Sequence, residues 1–145
     1  LDIEYHKGQL ATYRADPAQC ARGAWVDAAF AREWHEAAWP RDGSKTVYDT
    51  PISALRLGDV ALFFHPGELY SVYGLILRGD SGFRDTIAIG YMDDLIGYLP
   101  DPKAYEGKRE YSAVVVPKIM SLPCFTPEAG RALTASGLEL LGRLK

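Results

Sequence analysis

Two turns of this chain, about thirty residues apart, carry side chains suited to metal binding or proton transfer. Glu68 directly follows Pro66 and Gly67, and Tyr98 ends a loop that begins at Gly90. If Glu68 lies in the first turn of a helix, the helix dipole favours its carboxylate, which can then face a cation. The simpler interpretation of Glu68 is an acidic side chain that faces solvent and has no further role. A phenol binds a metal only where a cation or a strong donor favours the phenolate. Otherwise Tyr98 is a half-buried ring whose hydroxyl is satisfied.

Two further polar groups flank these turns. His65 stands one residue before Pro66, where an imidazole serves as a ligand, as a general acid or as a plain strand-end side chain. Asp93 and Asp94 are adjacent, so on an extended segment one faces the site and the other faces away. This argues against paired-acid catalysis by these two residues. The sequence contains no nucleophile elbow and no glycine-rich phosphate loop.

The hydrophobic pattern predicts a strand, a helix and a second strand that position both turns. Residues 60–64 form an apolar run too short for a helix, 68–78 carry apolar residues at helical spacing, and 86–92 are rich in β-branched and aromatic residues. A right-handed crossover between parallel strands would bring Glu68 and the loop 93–98 to one edge of the sheet. Ligands of open α/β sheets commonly bind at this edge.

The pattern of the remaining residues predicts a mixed sheet, with one helix before it and one helix after it in the sequence. The expected fold class is therefore α/β or α+β. Residues 52–57 should form a hairpin with the first strand, because the turn between them contains Gly58 and Asp59. Helix start signals predict an N-terminal helix over 16–39 and a C-terminal helix after Thr126 that runs towards Lys145. One helical turn at 103–106 and a short strand at 113–116 complete the prediction.

Composition limits the class of protein. The 145 residues are 48% hydrophobic and 24% charged with a net charge of −3, which fits one globular domain and gives no electrostatic footprint for nucleic acid. No apolar stretch is long enough to span a bilayer. Cys20 and Cys124 are too few for a structural zinc knot. Because the chain begins at Leu1, we expect it to be a single segment of a longer protein.

Several motifs occur together in the order found in one enzyme family. The chain resembles the neutral/alkaline non-lysosomal ceramidases, and their bacterial relatives in particular, over about residues 52–112 and more loosely over 127–145. The matching motifs are Leu55 to Leu62, Pro66 to Glu68, Gly90 with Tyr91, Gly97 to Pro100, and Ala104 to Glu106.

The resemblance implies a zinc amidase that cleaves the N-acyl bond of ceramide. It assigns two metal ligands to Glu68 and Tyr98 and the other two to histidines from an earlier part of the catalytic domain. It assigns a tyrosine near the substrate amide, a donor to the oxyanion, to Tyr111, although the spacing here is one residue longer. His65 and Asp93 are expected beside the substrate. Asp93 stands where the family has Asn, and Leu95 where animal members have Tyr, and these departures bear on the identity of the substrate more than on the fold.

The expected function is therefore the C-terminal portion of a ceramidase-like zinc hydrolase, with a lipid amide and the remainder of its own catalytic domain as partners. Alone, the chain is expected to be inactive, because a catalytic zinc needs three protein ligands. Two alternatives remain open: a binding protein that keeps the fold without the chemistry, and a metal hydrolase of another amide or ester. The resemblance is compatible with an extracytoplasmic location, which the residues themselves do not indicate.

Overall fold

The chain alternates short strands with helices, as expected for a mixed α and β class. The computed structural model describes residues 3–16, 33, 36, 47–106, 110–120, 122 and 124–145. Its regular elements, in chain order, are α1 (Ile3–Ala15), β1 (Ser53–Leu57), β2 (Val60–Phe64), β3 (Glu68–Leu69), α2 (Ser71–Asp80), β4 (Asp85–Ile89), β5 (Tyr98–Leu99), α3 (Val116–Ile119) and α4 (Ala129–Gly142). A 3-10 helix spans Pro102–Tyr105 and a π-helical turn spans Tyr111–Val115.

The chain divides into two units. One unit comprises residues 1–48 and 109–124, and the other comprises residues 49–108 and 125–145. The second unit contains both sheets and the two turns that carry Glu68 and Tyr98. Among the described helices, none is both long and apolar enough to cross a membrane.

A three-stranded sheet confirms the predicted mixed topology. Strands β1 and β2 pair antiparallel as a hairpin, and β2 pairs parallel with β4 in the order β1-β2-β4. The hairpin turn uses Gly58 at a φ of +60°, a conformation that glycine adopts without steric cost. Helix α2 connects the two parallel strands. The predicted strand-helix-strand crossover is therefore present.

The core lies on the face of the sheet that α2 and α4 cover. Its fully buried centre consists of Ala61, Phe63, Leu77 and Leu141. Complete burial of a Phe or Leu side chain contributes roughly 1.5–3 kcal/mol each, so this cluster is a major source of stability for the unit. Helix α4 approaches closely because Gly137 has no side chain: a Cβ there would lie 2.8 Å from Cζ of Phe63.

The opposite face of the sheet carries an apolar row across all three strands. Leu55 pairs with Leu62, and Leu62 pairs with Ile87, so the three side chains leave the sheet on the same side. Leu55 is 48% exposed and Ile87 is 51% exposed. We call these three residues the open row, because solvent reaches this face while the helices cover the other.

Two predicted elements differ from the structure, and a third lies mostly outside the residues that the structure describes. The helix predicted from Glu68 begins only at Ser71, and Glu68 lies in the short strand β3, so its carboxylate is not in a helical first turn. The strand predicted at 113–116 is wrong, because these residues are helical. Helix α1 was not predicted, since its sequence has no clear apolar stripe. Most of the helix predicted over 16–39 lies outside the described residues.

Candidate functional site

A cavity of about 430 Å³ lies beyond the carboxyl ends of the parallel strands β2 and β4. The residues that follow these strands, His65 and Gly90, contribute to its wall. The first residue of α2, Ser71, closes another side. This is the edge at which a crossover unit usually binds ligands, as the sequence predicted.

Glu68 and Tyr98 meet at this cavity. Strand β3 pairs parallel with β5, and in that pairing Glu68 lies directly opposite Tyr98. Opposite residues of a ladder project on the same face, and neighbouring strands lie about 4.8 Å apart. Both residues line the cavity. The two groups that the sequence analysis singled out are thus brought together, although Glu68 reaches the site from a strand rather than from a helix.

Two glycines make this arrangement sterically feasible. A Cβ at Gly67 would lie 3.1 Å from the carbonyl oxygen of Gly97 and equally close to Cδ1 of Leu99. A Cβ at Gly90 would lie 2.7 Å from the carbonyl oxygen of Gly67. The backbone N–H of Glu68 donates to the Gly97 carbonyl over 2.9 Å. Close backbone contacts therefore fix the turn from which Glu68 projects.

Tyr91 is a site residue that the sequence analysis did not single out. Its side chain lines the same cavity as Glu68 and is 62% exposed. The nearby Glu68 carboxylate, with a smaller effect of desolvation, raises the pKa of the Tyr91 phenol. The phenol is therefore protonated at neutral pH. The only signal in the sequence was its place in the Gly90-Tyr91 motif, which gave no role.

His65 lies in the wall of the cavity in a buried position. Its side chain is 3% exposed and its ring stacks on Phe63 with centroids 5.6 Å apart. Burial lowers the pKa of the His65 imidazole, and a hydrogen bond with the Gly67 backbone partly opposes this effect. Its buried Nδ1 atom finds no hydrogen-bond partner among the described residues. The imidazole is therefore neutral at pH 7 and has a buried nitrogen left to satisfy.

Tyr70 packs against the ring of Tyr98 and helps to fix its position. Tyr70, the residue that precedes α2, lines the cavity and packs edge-on against Tyr98 with ring centroids 6.2 Å apart. Edge-to-face pairs of this kind contribute about 0.5–1.5 kcal/mol beyond the area they bury. The backbone N–H of Tyr70 also donates to the Leu99 carbonyl over 3.2 Å. Tyr98 is thus held both by the ladder and by an aromatic neighbour.

Asp93 lies outside the lining of the cavity, and Tyr111 belongs to the other unit. Asp93 is exposed, has a φ of +65°, and is not among the residues that line the cavity. Its neighbour Asp94 accepts a hydrogen bond from the backbone N–H of Leu95 over 2.7 Å. Tyr111 begins the π-helical turn in the other unit and is 44% exposed. Roles for Asp93 and Tyr111 beside a substrate therefore rest on the resemblance alone.

Glu68 and Tyr98 place a carboxylate and a phenol in the wall of the cavity. A carboxylate and a phenol oxygen are hard donors, and zinc accepts carboxylate oxygen at about 2.0–2.2 Å. The described residues contain no group of three or more His, Cys, Asp and Glu side chains placed to hold a metal. Glu68 and Tyr98 thus supply two donors, while a catalytic zinc needs three protein ligands.

Comparison of the chain with protein-family models, with curated proteins and with solved structures found no match. The geometry of the cavity and the motifs of the sequence are therefore the basis for a function.

Proposed function

We propose that this chain provides part of the zinc site of an amide hydrolase similar to the neutral ceramidases, acting on the N-acyl bond of ceramide or a related lipid amide. One observation supports this above all: the Glu68 and Tyr98 positions that match the metal-binding motifs face each other across the β3–β5 ladder. These positions are thirty residues apart in sequence, so their pairing is not a consequence of local spacing.

In this proposal Glu68 and Tyr98 would hold the zinc, and the resemblance assigns the remaining ligands to two histidines of an earlier segment. A bound zinc would lower the pKa of water to about 7 and polarise the amide carbonyl. The chain's own contribution is to fix these two oxygen donors through the ladder and through the glycine contacts of the turn. Tyr111 would donate to the developing oxyanion, a role taken from the resemblance.

The loop after β4 supports an apolar substrate. Tyr91, Met92 and Leu95 expose large apolar side chains within five residues, and Tyr91 lines the cavity. Exposed apolar groups clustered beside a polar site are typical of surfaces that bind apolar ligands. A lipid amide presents both features that this site would need, an amide for the zinc and an acyl chain for the loop.

The test measures zinc content and amide hydrolysis in the full-length protein, with a short-chain fluorescent ceramide as substrate. Glu68→Gln and Tyr98→Phe should each lower zinc affinity at least tenfold and lower hydrolysis by about 100-fold or more. Glu139→Gln is the matched control, because Glu139 is an exposed acid on α4 that pairs with Arg143. This variant should bind zinc and hydrolyse the substrate like the wild type.

Each outcome discriminates between the alternatives. If zinc loading is full and depends on Glu68 and Tyr98 but no fatty acid is released, the substrate is another amide or ester and not ceramide. Zinc loading that is unaffected by both substitutions would refute the metal site. A protein that neither loads zinc nor hydrolyses any amide, yet binds the lipid, would be a binding protein that has kept the fold.

A further inference from the structure

Three tyrosines share the lining of the cavity beyond β2 and β4. Tyr70, Tyr91 and Tyr98 all contribute to its wall. The rings of Tyr70 and Tyr98 stand almost perpendicular to each other, at an interplanar angle of 88° with centroids 6.2 Å apart. Two perpendicular rings form the two sides of a corner, and Tyr91 adds a third aromatic side chain. Proteins enclose quaternary ammonium groups in cages of aromatic rings such as these.

The backbone of Tyr91 is held in a conformation that is unusual for its residue type. Its φ is +60°, in the left-handed region, where a bulky residue is a genuine outlier. On one side of it the N–H of Met92 donates to the carbonyl of His65 over 3.1 Å, and on the other the carbonyl of Ile89 accepts from the N–H of His65 over 3.0 Å. Conformations of this kind persist where the surrounding structure enforces them, and they cluster at ligand sites. The third aromatic residue of the cavity is therefore fixed in place.

The charge of the cavity favours a cation. Glu68 is among the lining residues, whereas Lys and Arg are absent from that lining. The pairing of β3 with β5 places Glu68 directly opposite Tyr98, so a negative charge lies beside an aromatic wall. The quadrupole of an aromatic ring attracts a cation that lies over its face, and a carboxylate adds Coulomb attraction. An anion would be repelled by both groups.

The rest of the lining leaves room for an organic head group. Gly67, Gly74 and Gly90 lie in the wall and carry no side chain. The volume of about 430 Å³ falls within the range of small-molecule sites, which is roughly 300–1,000 Å³. A quaternary ammonium group has no N–H to satisfy, so aromatic faces and one counter-charge suffice to hold it.

We propose that this cavity is an aromatic cage for a quaternary ammonium head group, with its three tyrosines as walls and Glu68 as the counter-charge. The inference goes beyond the proposed function, because it concerns the cavity of this chain without a metal. The motifs of the sequence assign no ligand of this class. Glu68 and Tyr98 also belong to the proposed zinc site, so zinc and the ammonium ligand should compete for the cavity.

The experiment titrates choline chloride into the full chain in the presence of a metal chelator. Calorimetry measures the affinity, and the proton resonance of the choline methyl groups should shift upfield, because aromatic faces shield the protons that lie over them. The neutral analogue of choline, in which a carbon atom replaces the nitrogen, should bind about tenfold more weakly or less. Ethanolamine has the same charge on a smaller, more strongly hydrated head group, and it should also bind more weakly than choline.

Paired substitutions separate the aromatic ring from the hydroxyl. Tyr91→Leu removes an exposed ring and should weaken choline binding about 2–30-fold, the range for one cation–π contact. Tyr91→Phe keeps the ring and should bind choline within about twofold of the wild type. Tyr48→Leu removes a tyrosine ring in the other unit and should leave the affinity unchanged. Glu68→Gln should weaken binding about 2–5-fold, as expected for a partly exposed counter-charge.

Three outcomes would overturn the cage: equal binding of choline and its neutral analogue, ethanolamine binding as tightly as choline, or choline affinity that neither Tyr91→Leu nor Tyr98→Leu changes. Tyr98→Phe distinguishes this inference from the proposed function. It keeps an aromatic wall but removes a zinc donor, so it should bind choline like the wild type and lose zinc affinity. Zinc loading that depends on Tyr98, in a protein that does not bind choline, would refute the cage and leave the proposed function intact.

Discussion

Replacing Gly90 by alanine should destabilise the second unit and disturb the site at the same time. The new Cβ would lie 2.7 Å from the Gly67 carbonyl oxygen, whereas ordinary contacts to a Cβ begin near 3.4 Å. The two backbones must therefore separate by about 0.7 Å, the difference between these distances. The Gly67 carbonyl cannot yield easily, because the next residue, Glu68, ties this turn to Gly97: its N–H donates to the Gly97 carbonyl over 2.9 Å.

The size of the effect follows from known costs of overpacking. Extra methyl groups in well-packed sites typically cost about 1–3 kcal/mol, and we expect the upper half of this range because both partners are backbone atoms. For a chain of this size, each kcal/mol lowers the melting temperature by about 2–4 °C. Since Glu68 follows Gly67 directly, the proposed zinc site should also be disturbed, and metal affinity measured at that site should fall.

Urea denaturation followed by circular dichroism measures the loss of stability, with Gly79→Ala as the matched control. A Cβ at Gly79 meets nothing within 4 Å, and Gly79 lies within α2, so alanine there should stabilise the protein by about 0.5–1 kcal/mol. The two glycine substitutions should thus have opposite signs. If Gly90→Ala were as stable as the wild type, the close approach of the two turns would be refuted.

Three further predictions concern single groups of the same unit. The pKa of His65 in the folded protein is lowered below its usual 6.5, so unfolding takes up a proton below that pH. The contribution of His65 to the stability should therefore be greatest above pH 6.5 and fall as the pH drops to 5. His65→Asn should weaken this pH dependence, measured by urea titrations at pH 6.5 and pH 5. Gly137→Ala should cost about 1–3 kcal/mol by thermal unfolding, because its Cβ would meet the buried ring of Phe63. Thr86→Val should lower the free energy of unfolding by about 1–2 kcal/mol in thermal unfolding, because it breaks the buried 2.7 Å hydrogen bond with Ser81. Ser81→Ala should destabilise the Thr86→Val variant less than it destabilises the wild type.

The sequence predicted the elements whose patterns are long enough to read. The apolar run 60–64, bounded by turn residues, became β2 with the same limits, and the hairpin, the crossover and α4 followed from similar signals. Placing Glu68 and Tyr98 on one edge required only the handedness of the crossover. The pattern did not show that the two residues pair directly, because a ladder of two residues has no periodicity.

The errors have identifiable physical causes. Residues 113–116 contain three valines, which favour strands, yet they are helical, since tertiary context overrides an intrinsic preference of this size. The left-handed conformation of Tyr91 cannot be read from its residue type, because tyrosine disfavours it. Only the contacts with His65 and Gly67, which are remote in sequence, impose it.

The open row has a practical consequence for purification and concentration of the protein. Leu55 and Ile87 keep about half of their surface in water, on strands at the two edges of the sheet. Wet apolar side chains on the edge strands of the described sheet favour colloidal association between molecules at high concentration. Exchange of both residues for threonine retains β propensity and makes this strip more polar. We expect such a variant to reach a higher solubility limit, measured by precipitation with ammonium sulfate, while its folding free energy changes little.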